Sequence, residues 1–220
     1  PNMLYAISQG IFNGRIPENI PADMRERLTV PLLSNERHAT VFAAATKDLL
    51  TPYGLRTLSP RDSHYKERYY TNVARVVKDP LYHQGTAWPF LMGAYIDSLV
   101  TVRRDQGIAM DKIRDEIRTI LTPLVMYLLV KSPYGSINEV FDGGEKEAAY
   151  LSPTSDGTIK WDPNMLSHQN PGGTSSQAWS VGELLRVLIE YGVLDRPSAS
   201  QKSFPKAESD SDQTLPIRSA

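Results

Sequence analysis

Residues 86–130 read TAWPFLMGAYIDSLVTVRRDQGIAMDKIRDEIRTILTPLVMYLLV, and this stretch decides the fold. Its first half carries Trp88, Leu91, Met92, Tyr95, Ile96, Leu99 and Val102. Apolar residues at steps of three and four form the stripe of a helix with one buried face. Thr86 is placed to cap a helix over 87–103, with Pro89 in the first turn, where a missing N–H costs little. The second half carries Ile113, Ile117, Ile120, Leu121, Leu124, Leu128 and Leu129. That predicts a helix over 111–130, which Pro123 should kink or split. Asp105-Gln106-Gly107 is only long enough to turn the chain, so the two helices pair.

Outward from this pair, Ser34 can cap a helix over 35–50 with Val41, Ala44, Ala45 and Leu49 on one face. A fourth helix starts near Ser176 and stops at Gly192, a C-terminal glycine signal. Its middle, Leu184-Leu185-Arg186-Val187-Leu188-Ile189, is apolar on most sides and predicts deep burial. Long connections separate the helices, at 51–84, at 131–175 and over 8–33. Loops of that length in a compact domain are usually functional or disordered. These hold Tyr, Trp, Arg, Asp and Gly rather than low-complexity repeats, which favours function. Short strands at 137–141 and 158–161 fit inside them, and no strong two-residue hairpin signal is visible. Residues 197–220 are Ser, Pro, Asp, Lys and Gln with almost no apolar pattern, the composition of a disordered tail. The folded part is expected over 1–196.

Composition narrows the function. The chain has 220 residues and no cysteine, which excludes a disulfide scaffold, a thiolate metal site and a cysteine nucleophile. Lys+Arg 24 against Asp+Glu 25 gives a net charge of −1, with no electrostatic footprint for nucleic acid or an anionic membrane. No stretch approaches the roughly 20 apolar residues of a membrane-spanning helix, and no signal peptide pattern opens the chain. Pro1 stands first, read as the mark of a processed, trimmed or fragmentary chain. Tyr 11 against Phe 5, with Trp 3, favours half-wet surfaces such as interfaces and sugar sites.

The chemistry-bearing residues lie mostly in the connections. His38, His64, His83 and His168 show no metal-ligand spacing, so no metal and no cofactor is expected. Asn170-Pro171-Gly172-Gly173-Thr174 lacks the Gly-Lys-Ser/Thr ending of a nucleotide loop and reads as a tight turn feeding a helix. Asp62, Glu139 and Asp142 are acids beside aromatics, and glycoside hydrolysis needs two carboxyl groups across the scissile bond. Glu139, flanked by Ile137, Val140 and Phe141, suits a partly apolar wall, although a surface-loop acid has the same spacing. Trp88 and Trp179 each sit one turn into an expected helix that follows a long loop. Flat rings there serve as core anchors, as platforms for the C–H faces of a sugar, or as both.

Five blocks taken in order resemble one family: Pro1–Ser8, Leu50–Asp62, Tyr82–Pro89, Ile137–Gly143 and Gln177–Glu183. They are similar to the amylo-α-1,6-glucosidase domain of glycogen debranching enzymes in its bacterial and archaeal form. The resemblance implies an all-α fold, the C-terminal part of an (α/α)6 barrel of the six-hairpin glycosidase kind. The second and fourth helices would then be inner and the first and third outer. It implies hydrolysis, with inversion, of α-1,6-linked glucose at branch points of glycogen or limit dextrin, in the cytoplasm. Glu139 matches the family's general base. Arg61, Asp62, His83, Gln84, Trp88, Asp142, Gln177 and Trp179 would shape the glucose pocket. The family's general acid, an Asp in a Thr-Trp-Met-Asp-Ala-like block, has no counterpart here. The chain is therefore expected to be a fragment, inactive alone, whose partner is the missing N-terminal part of its own barrel. The rivals are another barrel glycosidase, trehalase- or glucoamylase-like, a phosphorylase of the same clan, and a non-catalytic glucan-binding module.

Overall fold

The computed structural model describes residues 1, 3–7, 19–28, 33–70, 74–144, 151–153, 159–161 and 169–194. The tail expected over 197–220 and His168 lie outside them. The described part is mostly helical, with a small antiparallel sheet at one end. The helices are α1 (Met3–Ile7), α2 (Ala22–Leu28), α3 (Asn35–Asp48), α4 (Arg75–His83), α5 (Met92–Asp105), α6 (Met110–Met126) and α7 (Ala178–Glu190).

Contacts between the helices set their directions. The start of α3 meets the end of α5, where His38 Nδ1 lies 3.6 Å from Asp105 Oδ2. Further along, Thr46 shares a 2.9 Å hydrogen bond with the Tyr95 hydroxyl, and Phe42 packs on the Tyr95 ring at 5.0 Å. Arg103, late in α5, grips Glu116, early in α6. Arg114 donates to the Tyr191 carbonyl just past the end of α7. So α3 and α6 both run antiparallel to their neighbours α5 and α7. The latter two run parallel, since Phe90 stacks on Trp179 and, seven residues further along each segment, Asp97 binds Arg186. Ile113, Ile117, Ile120, Leu121 and Leu124 are buried, as their stripe predicts.

Several helical expectations are corrected. The buried face of α3 is His38, Phe42 and Ala45; Val41 and Leu49 are half-buried and Ala44 is exposed. The helix through Trp88 begins five residues late. Ala87–Trp88 forms a strand, β3, and Pro89–Leu91 a single 3-10 turn, before α5 starts at Met92. The cause is tertiary: the backbone of Ala87 and Trp88 is claimed by strand neighbours on both sides. Helix α6 runs through Pro123 to Met126, then widens into a π turn over Tyr127–Lys131, closed by Ser132 N–H to the Tyr127 carbonyl at 2.8 Å. That rotation carries Leu129 out of the stripe, to 72% exposure. Helix α7 stops at Gly192 as expected, but it is buried on one stripe only, Ser180, Leu184, Val187 and Leu188. Leu185 is 43% exposed and Gly182 is exposed as well.

The sheet joins pieces far apart in the chain. Its order is β1 (Leu50–Thr51), β2 (Gly54–Arg56), β3, β4 (Val140–Phe141), then β7 (Pro171–Gly172), all antiparallel. The strand expected at 137–141 is present as β4. The other expected strand is present as β6 (Ile159–Trp161), paired with β5 (Leu151–Pro153). A hairpin that the sequence reading does not contain joins β1 to β2 through Pro52-Tyr53, with Thr51 opposite Gly54. Helix α4, too, lies in a connection read as irregular.

Candidate active site

The sheet brings four loop segments side by side at one end of the helix layer, and α5 and α7 start from it. Glu139 immediately precedes β4. Its backbone N–H donates to the Thr174 carbonyl at 2.9 Å, and its Oε2 accepts the Thr174 N–H at 3.1 Å. The turn between these partners needs glycine. Gly173 has φ +67°, and a Cβ there would lie 2.6 Å from Glu139 Oε2. The tight-turn reading of Gly172-Gly173 therefore agrees with the geometry, and the turn's neighbour is the Glu139 carboxylate.

Tyr82 lies near that carboxylate. Burial, then the neighbouring Glu139 carboxylate, push the phenol well above its ordinary range, so it stays protonated at any working pH. The ring is held by Tyr69 at 5.2 Å and by Trp88 edge-on at 4.7 Å. The Tyr82 carbonyl accepts from Thr86 Oγ1 at 2.7 Å and from the Trp88 indole N–H at 3.3 Å. Thr86, expected as a helix cap, instead knots this turn, since its Oγ1 also accepts from the Trp88 indole at 3.0 Å.

From Trp88 an aromatic wall extends outward. His83, exposed, stacks on Trp88 at 6.4 Å, with the two planes 9° apart. Trp179 meets Trp88 at 6.2 Å and lies on Phe90 at 4.8 Å. Exposure divides the two tryptophans: Trp88 is at 7% and serves as an anchor, whereas Trp179 is at 48% and offers a face. Trp179 is the second residue of α7, but Trp88 is on β3 and not a turn into a helix.

The other expected pocket residues have definite places. Asp142 is 4% exposed and its carboxylate is spent internally. It accepts from Tyr69 N–H at 2.8 Å, Asn170 Nδ2 at 2.8 Å and Asn170 N–H at 3.4 Å. Arg61 extends to solvent and pairs with the Asp48 carboxylate. Asp62 Oδ1 accepts from His64 N–H at 2.8 Å in an exposed turn. The carbonyl of Gln84 accepts from Lys66 N–H at 2.6 Å. Gln177 caps the start of α7, and its N–H donates to the Ile137 carbonyl at 2.9 Å. The structure thus gathers His83, Trp88 and Trp179 into one wall, with Glu139 near its Tyr82 edge, and commits Asp142, Arg61 and Asp62 to other partners. Tyr82, Phe90 and the Gly173-Thr174 turn belong to the wall and were not read as such. The adjacency of Tyr82 to His83, inside a block already singled out, was the available signal.

Below the wall, α5 and α7 continue as a ladder. The Glu183 carboxylate sits where a Gly93 side chain would begin, and Arg186 forks onto Asp97 at 2.8 and 3.2 Å while bonding Glu183 and Glu190. Burial alone would lower the Arg186 pKa, but the bonds to Glu183 and Asp97 outweigh it and raise it. Among the described residues no group of three or more His, Asp or Glu is placed to hold a metal ion.

The family model for amylo-alpha-1,6-glucosidase matches residues 20–156, more than half of the chain, and spans Glu139, His83 and Trp88. The chain belongs to the amylo-alpha-1,6-glucosidase family. It is thus a glycosidase domain of the glycogen-debranching type, a family that acts on branched glucan. The blocks at Pro1–Ser8 and Gln177–Glu183 fall outside the matched range, so Trp179 joins the site through its ring contacts alone. Comparison with curated proteins finds no match. No helix among the described residues is long and apolar enough to cross a membrane.

Proposed function

We propose that this amylo-alpha-1,6-glucosidase domain hydrolyses the α-1,6-linked glucose left at a trimmed glycogen or limit-dextrin branch, with inversion, and that Glu139 is its general base. The observation that carries the reading is the Glu139 carboxylate, held by Thr174 N–H and lying near Tyr82, whose ring packs on the wall of Trp88, His83, Phe90 and Trp179.

In this mechanism Glu139 takes a proton from water as the water attacks the anomeric carbon on the face opposite the leaving oxygen. The bond to that oxygen breaks as a carboxylic acid protonates it. In an inverting enzyme the two carboxyl groups stand about 6.5–9.5 Å apart, leaving room for the water. Asp142 and Asp62 are committed elsewhere, so the acid is assigned to a residue outside the described ones. Trp179 and His83 receive the C–H faces of the sugar, and Gln84 and Gln177 serve its hydroxyls.

The parallel pair α5 and α7, with α3 and α6 antiparallel beside them, supports an alternation of inner and outer helices in an (α/α)6 barrel. Proton NMR of the first glucose released from limit dextrin tests the reaction. The β-anomer is expected; α-glucose released first, or phosphate-dependent release, would refute it.

A further inference from the structure

Building on the assignment of Glu139 as base, we infer that Asn138 is a positioning residue: its side-chain amide ties the end of α6 to the Gly172-Gly173-Thr174 turn and so holds the Thr174 N–H on the Glu139 carboxylate. Asn138 is buried, next to Glu139 in the chain. Its Oδ1 accepts from the Tyr127 hydroxyl at 2.7 Å, and its Nδ2 donates to the Gly172 carbonyl in a longer contact of 3.5 Å. An amide offers an acceptor at one end and a donor at the other, which neither an ionised Asp nor a Leu of similar size does. The carbonyl that Asn138 holds belongs to the peptide leading into Gly173. Its tilt therefore sets where the turn carries the Thr174 N–H, 3.1 Å from Glu139 Oε2. The terminal torsion of a glutamate is broad and roughly two-fold, so the carboxylate follows that donor.

The support of Asn138 is built into the helix layer. Tyr127 opens the π turn that ends α6, a rare form of helix that recurs at functional sites. Its ring is buried between Tyr53, at 5.5 Å, and Phe141, edge-on at 4.8 Å, so the hydroxyl has little freedom. The segment before β4 is also laced to the segment before α7. Glu139 N–H donates to the Thr174 carbonyl and Gln177 N–H to the Ile137 carbonyl, both at 2.9 Å, and the Ser176 and Ser136 hydroxyls meet at 2.9 Å. Trp179 follows Gln177 by two residues. The lacing thus fixes the base relative to the Trp179 platform, while Asn138 fixes the turn that orients its carboxylate.

A double-mutant cycle in the intact protein tests the inference, with limit dextrin as substrate. Asn138→Asp keeps the size and the acceptor for Tyr127 but turns a carboxylate oxygen toward the Gly172 carbonyl. It is expected to lower kcat about tenfold and to leave KM within about twofold, the pattern of an interaction that matters in the transition state. Tyr127→Phe keeps the ring packing and is expected to lower kcat about fivefold; it carries the test alone if Asn138→Asp does not fold. In the Glu139→Gln background each substitution is expected to cost less than about twofold, because the group it acts through is gone. Calorimetric titration with 1-deoxynojirimycin, a cationic glucose mimic, counts the binding-competent sites, and an unchanged stoichiometry is expected. An unchanged kcat in either folded variant, the same fold-loss in both backgrounds, or a drop in stoichiometry that accounts for the loss of kcat overturns the positioning role. Normal turnover by Glu139→Gln alone refutes instead the assignment of the base.

Discussion

The Trp179 ring lies on Phe90, with centroids 4.8 Å apart and planes 26° from parallel, while its outer face remains open to solvent. A flat ring backed on one side and free on the other is a rigid platform with little entropy left to lose on binding. Trp179→Ala is predicted to weaken glucan binding by roughly tenfold, in line with about 1–2 kcal/mol for a lost exposed aromatic contact. Calorimetry with maltooligosaccharides checks this. The melting temperature should barely move, since the ring is half exposed.

Asp142 should behave in the opposite way. It clamps the 169–170 segment to Tyr69 from a buried position, so Asp142→Ala leaves several buried donors unmatched. A loss of about 2–4 kcal/mol is predicted, readable as a shifted urea midpoint. A purely kinetic defect with normal stability would show that Asp142 meets substrate after all.

Gly173→Ala combines a left-handed backbone with a methyl in the space of Glu139 Oε2. It is predicted to cost about 1–2 kcal/mol in stability and to lower kcat more than it raises KM, because it displaces the base. Denaturation and steady-state kinetics on one preparation separate the two effects.

Alkaline titration follows from the phenols. Burial pushes Tyr82, Tyr95 and Tyr191 up from the ordinary value of 10.0, and Tyr82 and Tyr191 also feel Glu139 and Asp97. The unfolded chain ionises first, so stability is full below pH 10 and falls as pH rises toward the folded values. Phenolate absorbance should therefore rise in two stages, exposed tyrosines first and the buried ones only with unfolding. A single smooth titration with an intact fold would contradict the burial.

Helices α3, α5, α6 and α7 were legible in the sequence because each carries apolar residues at helical spacing, whereas α1, α2 and α4 were not read. Ile113 through Leu124 repeat at helical spacing, and one face packs. Of the five-stranded sheet only β4 was read, because its strands are two or three residues long and too short to show alternation. Trp88 illustrates the conflict. Its apolar neighbours carry a helical period, yet pairing opposite Leu55 takes it into β3. The β1–β2 hairpin escaped because its turn is Pro52-Tyr53, not one of the glycine-rich pairs that announce such turns. Glu139 was reachable through family resemblance, whereas for Tyr82 the only signal was its place beside the conspicuous His-Gln-Gly-Thr run, which does not show that its ring packs on Trp88.

The role of Glu139 is tested most directly by the kcat of Glu139→Gln in the intact protein, acting on α-1,6-branched limit dextrin. Loss of a general base at this position predicts a fall of at least roughly 100-fold with KM little changed. Turnover within a few-fold of the unsubstituted protein would contradict the assignment and remove Glu139 from the mechanism.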